Sequence, residues 1–381
     1  MNIGIDFTHD FGYSGIGTYS RSLTEAMTKI EPGNLYNILT LRRKIQKVKT
    51  HFTQNRSLAF LDPFPNPMML GTSLKSFIQG THKNIWKKQA HLYDIVHFTH
   101  QDFFVPGIPN AAVTIHDIIP LYDKTFSVVD KNTPSYLKTA ETIRHARTIF
   151  VPSKFVYNEL QNHFPFCENK IRVTYEGVKS VFREMPADSD ILNKYGLHAS
   201  SSFFLYVGRY EARKNLDNLL VAYSYLPDSL KKEIKLVLIC PAKSAVTKEI
   251  LKKKIFELGL EQNVLHLPDV TDEDLVHFYN AALALLFVSF SEGFGLPLVE
   301  AMNCGCPAVI ANCSSLPEIS GSSSILIDPF DPESIRYGML KIIDDSQLRK
   351  SLTEKCLLRA KNFSWKNTAN ETLNEFNLIC S

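Results

Sequence analysis

The chain has no surplus of charge of either sign. Its 42 lysines and arginines are nearly balanced by 39 aspartates and glutamates, a net charge of +3. That is too mild to drive binding to nucleic acid. It also lacks any apolar run approaching the ~20 residues that a membrane-spanning helix needs, so membrane contact is expected to be peripheral at most. No secretory leader is read at the start, because Met1-Asn-Ile-Gly-Ile-Asp6 already has the character of a strand. Cysteine is scarce and scattered: seven residues, of which only Cys304 and Cys306 lie close together. With no second pair to complete a zinc site, they are expected to be buried thiols of a cytosolic protein. Disorder is excluded by 44% hydrophobic against 21% charged residues. At 381 residues the chain exceeds one ordinary core, and two domains are expected.

The most informative stretch runs from Phe287 to Gly305. Ala281 to Phe290 is almost unbroken apolar sequence, as for a strand buried on both faces of a parallel sheet. Gly293 and Gly295 then let the backbone turn sharply and a ligand approach closely. Pro297 suits the start of a helix and Gly305 its stop. A helix N-terminus at the carboxyl end of a strand, near Leu296, is a ready anion site. Glu292 and Glu300 flank the turn, and carboxylates aimed into a pocket grip pairs of sugar hydroxyls.

Strand and helix patterns alternate along the rest of the chain. Gly15 and Gly17 stand just before a helical pattern; they suit either close approach to an anion or a plain tight turn. Arg42 to Lys49 is a basic run, and residues 52 to 72 read as a proline-rich loop. Thr72 to His91 has Trp86 among Lys83, Lys87 and Lys88. That pattern fits a basic helix on a bilayer or an ordinary helix packed on the sheet. His116 ends a strand, where ligands bind in α/β folds, although a lone histidine beside Asp117 is often structural. His97 and His100 are weaker candidates of the same kind. A linker falls at 177 to 200, after which the alternation repeats. In the second half Gly208-Arg209 and Lys214 sit between a strand and a helix and make a second anion site, with Arg213 an extra cation of open direction.

Glu292 and Glu300, with Glu-Gly-Phe-Gly-Leu-Pro, Glu-Ala-Met, Cys-Gly-Cys-Pro and Ser315-Leu-Pro-Glu-Ile319 around them, resemble the paired-glutamate motif of retaining glycosyltransferases of family 4. The resemblance covers nearly the whole chain. It implies an α/β protein of the GT-B fold: two Rossmann-like domains with a cleft between them and a C-terminal helix crossing back to the first. The expected boundaries are 1–178 for an acceptor-binding domain, 179–364 for a nucleotide-sugar domain and 365–381 for that helix. By resemblance Arg209 and Lys214 hold the diphosphate, Glu292 the donor sugar and Glu300 the ribose. Gly15, Gly17, Gly293, Phe294, Gly295 and Leu296 line the donor site, and His116 faces the reacting sugar.

No acidic metal motif is read, so no metal and no cofactor are expected; the two cations would take up the charge of the leaving diphosphate. The words Ile-Gly-Thr-Tyr, Thr-Ile-His-Asp-Ile-Ile-Pro, Arg-Lys-Asn and Phe-Ser-Trp are most similar to bacterial O-antigen mannosyltransferases. GDP-mannose is then the expected donor and a polyprenyl-diphosphate-linked saccharide the acceptor. The setting implied is the cytoplasm, at the cytoplasmic face of the inner membrane. UDP-sugars remain alternative donors. A nucleotide-sugar 2-epimerase and a sugar-binding protein without catalysis are the rival classes.

Overall fold

The computed structural model describes residues 1–8, 15–40, 48–49, 52, 57–60, 74–122, 129, 131–198, 201–241 and 245–381. They divide into two units, Met1–Gly177 with Ser364–Ser381, and Val178–Phe363.

In the first unit the strands are β1 (Asn2–Asp6), β2 (Leu35–Leu39), β3 (Leu58–Phe60), β4 (Ile95–Phe98), β5 (Ala111–Thr114), β6 (Thr148–Val151) and β7 (Ile171–Val173). They form one parallel sheet in the order β3-β2-β1-β4-β5-β6-β7. Every residue of β4, β5 and β6 is buried. That is why they read as short apolar runs and not as alternating strands. β3 falls inside the stretch expected to be a loop: it is a three-residue strand pairing with β2, too short to show a period.

The helix Leu74–Gln89 packs on the sheet. Trp86 is fully buried, and its ring leaves no space at Gly4, where an added Cβ would come within 2.9 Å. The indole Nε1 donates to Asp6 Oδ2 at 2.6 Å, while Lys83, Lys87 and Lys88 stay exposed. Trp86 therefore belongs to the core and not to a bilayer-facing surface. Of the basic run, residues 42 to 47 lie outside the described residues.

The last helix, Trp365–Cys380, is part of this first unit and lies along the helix Gly15–Ile30. Arg172 Nε donates to Glu375 Oε2 at 2.8 Å, and Thr148 Oγ1 donates to Glu375 Oε1 at 3.0 Å. The Thr368 hydroxyl donates to the Tyr175 carbonyl at 2.6 Å.

The second unit holds β8 (Ser202–Val207), β9 (Ile234–Ile239), β10 (Val264–Leu267), β11 (Ala284–Phe287), β12 (Ala308–Ala311) and β13 (Ser324–Ile327). They run parallel in the order β10-β9-β8-β11-β12-β13. Both sheets therefore reverse direction of growth beside their first strand, between β1 and β4 and between β8 and β11. In doubly wound sheets ligands bind at the carboxyl ends of the strands that flank such a switch.

Only Ala284–Phe287 of the Ala281–Phe290 run is strand, because Ala281 still closes the helix Asp272–Ala281. The expected linker contains a short helix, Ser189–Lys194, capped by Asp188. Five cysteines are buried, but Cys313 is half-buried and Cys380 exposed, which corrects the expectation of buried thiols throughout. Among the described residues no helix is long and apolar enough to cross a membrane.

Candidate active site

At the switch point of the second unit, the loops after β8 and β11 are tied together. Phe290 N–H donates to the Arg213 carbonyl at 2.8 Å, and Asn215 Nδ2 donates to the Val288 carbonyl at 3.0 Å. Asn215 holds a left-handed backbone, φ 58°, which asparagine tolerates better than most residues. The Ser315 hydroxyl bonds the carbonyls of Glu292 and Phe294, both at 2.9 Å, and fixes the glycine turn. Gly295 has φ +106° and caps the helix Leu296–Asn303; a Cβ there would meet Leu316 at 2.9 Å. A glycine is needed on both counts.

These loops bring Lys214 and Glu292 into a buried ion pair. Arg213 Nη1 donates to the other oxygen of Glu292 at 3.0 Å, so the direction left open for Arg213 is toward this carboxylate. Glu211 lies 3.3 Å from Arg213 Nε and 3.9 Å from Arg209 Nη1. Burial alone would raise the pKa of Glu292, but Lys214 and Arg213 outweigh it and hold the carboxyl below its usual range. Burial pushes Lys214 down, and Glu292 opposes that shift. Three cations thus meet two carboxylates, which leaves an excess positive charge beside the N-terminus of Leu296–Asn303.

Glu300 lies on that helix and accepts from the Tyr279 hydroxyl at 3.0 Å. Burial, helped by the charge of Asp272, pushes its pKa up to about 7. Phe294 turns its ring inward, 4% exposed and edge-on to Phe363, so only its backbone can meet a ligand. Asp188-Ser-Asp190 and Asp272-Glu-Asp274 are acidic pairs that the sequence reading overlooked. Asp188 accepts from the Asp190 N–H at 2.8 Å as a helix cap. Asp272 pairs with Lys179, and Asp274 with Lys194, at 2.5 Å and 2.7 Å.

In the first unit Gly15 and Gly17 form the first turn of the helix Gly15–Ile30 itself and do not precede it; residues 9 to 14 lie outside the described residues. His116 is 9% exposed just beyond β5. His97 is not a site residue. It is fully buried between Phe150 and Phe376, bonded to Thr114 Oγ1 at 2.9 Å, and burial pushes its pKa down to about 3. His100 stacks 6.0 Å from His116. Asp6, at the end of β1, escaped notice as well. It is buried and accepts from Trp86 Nε1 and Thr8, with His82 Nε2 2.5 Å from its Oδ2. No spacing pattern announces such a partner, because His82 and Trp86 are 76 and 80 residues away.

Two doubly wound parallel units, one with a cationic cluster at its switch point and paired glutamates around a glycine turn, have the architecture of the GT-B fold. Residues 188–356, most of the second unit, match the family described as glycosyl transferases group 1. The chain is 29% identical to the O-antigen chain mannosyltransferase B of Escherichia coli over 377 residues, 96% of each chain. It is 29% identical to the serotype-specific mannosyltransferase WbdA of the same species over 73% of this chain, spanning 35% of that longer protein. The sucrose-phosphate synthase of Thermosynechococcus elongatus superposes with a TM-score of 0.77 at 18% identity, over 100% of this chain and 99% of the other, which speaks for the fold.

Proposed function

We propose that the chain is a retaining mannosyltransferase that moves mannose from GDP-mannose to a hydroxyl of a polyprenyl-diphosphate-linked saccharide in O-antigen assembly. The observation that carries this reading is the buried Glu292 held between Lys214 and Arg213, in a chain similar from end to end to an O-antigen mannosyltransferase. Lys214, Arg209 and the helix start at Leu296 neutralise the leaving diphosphate. The C1–O bond to phosphate breaks, and a new C1–O bond to the acceptor forms on the same face. The acceptor proton passes to the leaving phosphate. No metal is required for that charge balance, so activity should persist in EDTA. Glu292 holds hydroxyls of the donor sugar, and Glu300 those of the ribose. The exposed Lys83, Lys87 and Lys88 give the first unit a basic surface for anionic lipid at the cytoplasmic face of the membrane.

The test is calorimetry with GDP alone beside a transfer assay. Glu300→Ala should weaken GDP binding, since a hydroxyl left unpaired costs ~1–3 kcal/mol. Glu292→Ala should not weaken GDP binding but should lose turnover. The reverse pattern overturns the placement of the sugar. UDP-sugars run in parallel decide the donor, and an epimer formed from donor alone would favour the epimerase.

A further inference from the structure

Unit one contains a buried acid–base pair that the diphosphate chemistry does not use. Glu176 is 4% exposed and follows β7. The next residue, Gly177, is pressed against the start of the last helix: a Cβ there would lie 2.0 Å from the Trp365 nitrogen. The backbone that carries Glu176 is therefore clamped. Its Oε1 lies 3.3 Å from His116 Nδ1. On the other side of the ring, His116 Nε2 lies 2.9 Å from the Thr99 carbonyl oxygen.

A carbonyl oxygen only accepts, so Nε2 carries a hydrogen. An ionised carboxylate only accepts, so Nδ1 carries one too. A neutral imidazole has a single N–H, and only the imidazolium satisfies both partners. We propose that Glu176 is a positioning residue that holds His116 as an imidazolium, so that His116 serves the reaction as a fixed positive charge and not as a base.

The other groups facing the ring fit this assignment. Tyr19 meets it edge-on at 4.7 Å, with its hydroxyl engaged by Thr114. His100 has an Nδ1 that accepts from the Asp102 N–H at 3.0 Å, and burial and the charge of His116 push its pKa down to about 4. It does not compete for the charge. Burial would lower the pKa of His116, but Glu176, the Thr99 carbonyl and Asp117 together move it up.

The proposal rests on glycosyl transfer for its role in turnover but not for its chemistry, and the experiment separates the two. In ¹⁵N-histidine-labelled protein, with His116→Gln to assign the signal, both nitrogens of His116 should be protonated at pH 7. Glu176→Gln should move its titration to lower pH, and Glu176→Asp should restore most of the shift. Turnover of wild type should fall as pH rises through the His116 titration. In Glu176→Gln that alkaline limb should move to lower pH, with about tenfold less turnover at pH 8 when the limb moves by about one pH unit. A neutral His116 ring at pH 7 in the wild type, or a titration unmoved in folded Glu176→Gln, overturns the proposal. So does turnover that falls on acidification through that titration, as a base requires. A protonated ring in a protein that transfers no sugar leaves the pair standing and overturns the transferase reading instead.

Discussion

Replacing Glu292 by glutamine tests whether the second unit stores electrostatic strain at its anion site. Glutamine keeps the shape and an acceptor oxygen but removes the charge. Lys214, 8% exposed, and Arg213 would then face each other, with Glu211 the neighbouring carboxylate that pairs with Arg213. Removing one partner of a buried pair costs about 3–5 kcal/mol, and Glu211 offsets part of it, so about 3 kcal/mol is expected. For a unit of this size that lowers Tm by about 6–12 °C. Lys214→Met should cost less, because Arg213 still pairs with the carboxylate. Inorganic pyrophosphate supplies the missing negative charge, so it should raise the Tm of Glu292→Gln more than that of wild type. The sign with pH follows from the depressed pKa of Glu292. Its contribution is present above the ordinary carboxylate range and is lost as pH falls through the folded value, so the gap between the two proteins should close in acid. A variant that melts with the wild type at pH 7, or gains no more from pyrophosphate, would refute the reasoning.

Glu300 has the opposite sign. With its pKa pushed up to about 7, ionisation costs stability between the ordinary carboxylate value and pH 7 and costs it in full above. Glu300→Gln should gain about 2–3 kcal/mol at pH 8 and nothing near pH 4.5, read from Tm at the two pH values. Asp6→Ala strips two buried donors, Trp86 Nε1 and Thr8, of their acceptor and should cost about 3 kcal/mol or more in a denaturant titration. Gly177→Ala drives a methyl into the Trp365 backbone and should release the last helix, seen as early proteolysis near residue 364 while the second unit stays folded.

Glycine, proline and apolar runs carry backbone information, and from them the places of the strands, the turn at Gly293–Gly295 and the helix from Leu296 were legible, although the strand ends were not. Glu292 and Glu300 could be singled out because they flank that turn. The direction of a side chain was not legible. Trp86 looked like part of a basic amphipathic face, yet it closes over Gly4 and bonds to Asp6. His97 and His116 both stand near strand ends, but β4 turns the first into the aromatic core while the second sits just past β5. Arg213 and Lys214 are adjacent and both reach Glu292, because the short helical turn Ala212–Lys214 does not alternate its side chains as a strand would. Glu176 carried no signal, since a single carboxylate before a glycine has many ordinary uses.

The first unit is assembled from both ends of the chain, with Ser364–Ser381 completing what Met1–Gly177 begins. On a ribosome, residues 1–177 emerge first but cannot bury the face of Gly15–Ile30 that the last helix covers. Arg172 waits for Glu375, 203 residues later. The second unit is contiguous and leaves the exit tunnel whole before that helix does. The earlier unit therefore cannot close until residues 364–381, made after the whole of the later one, are available to it.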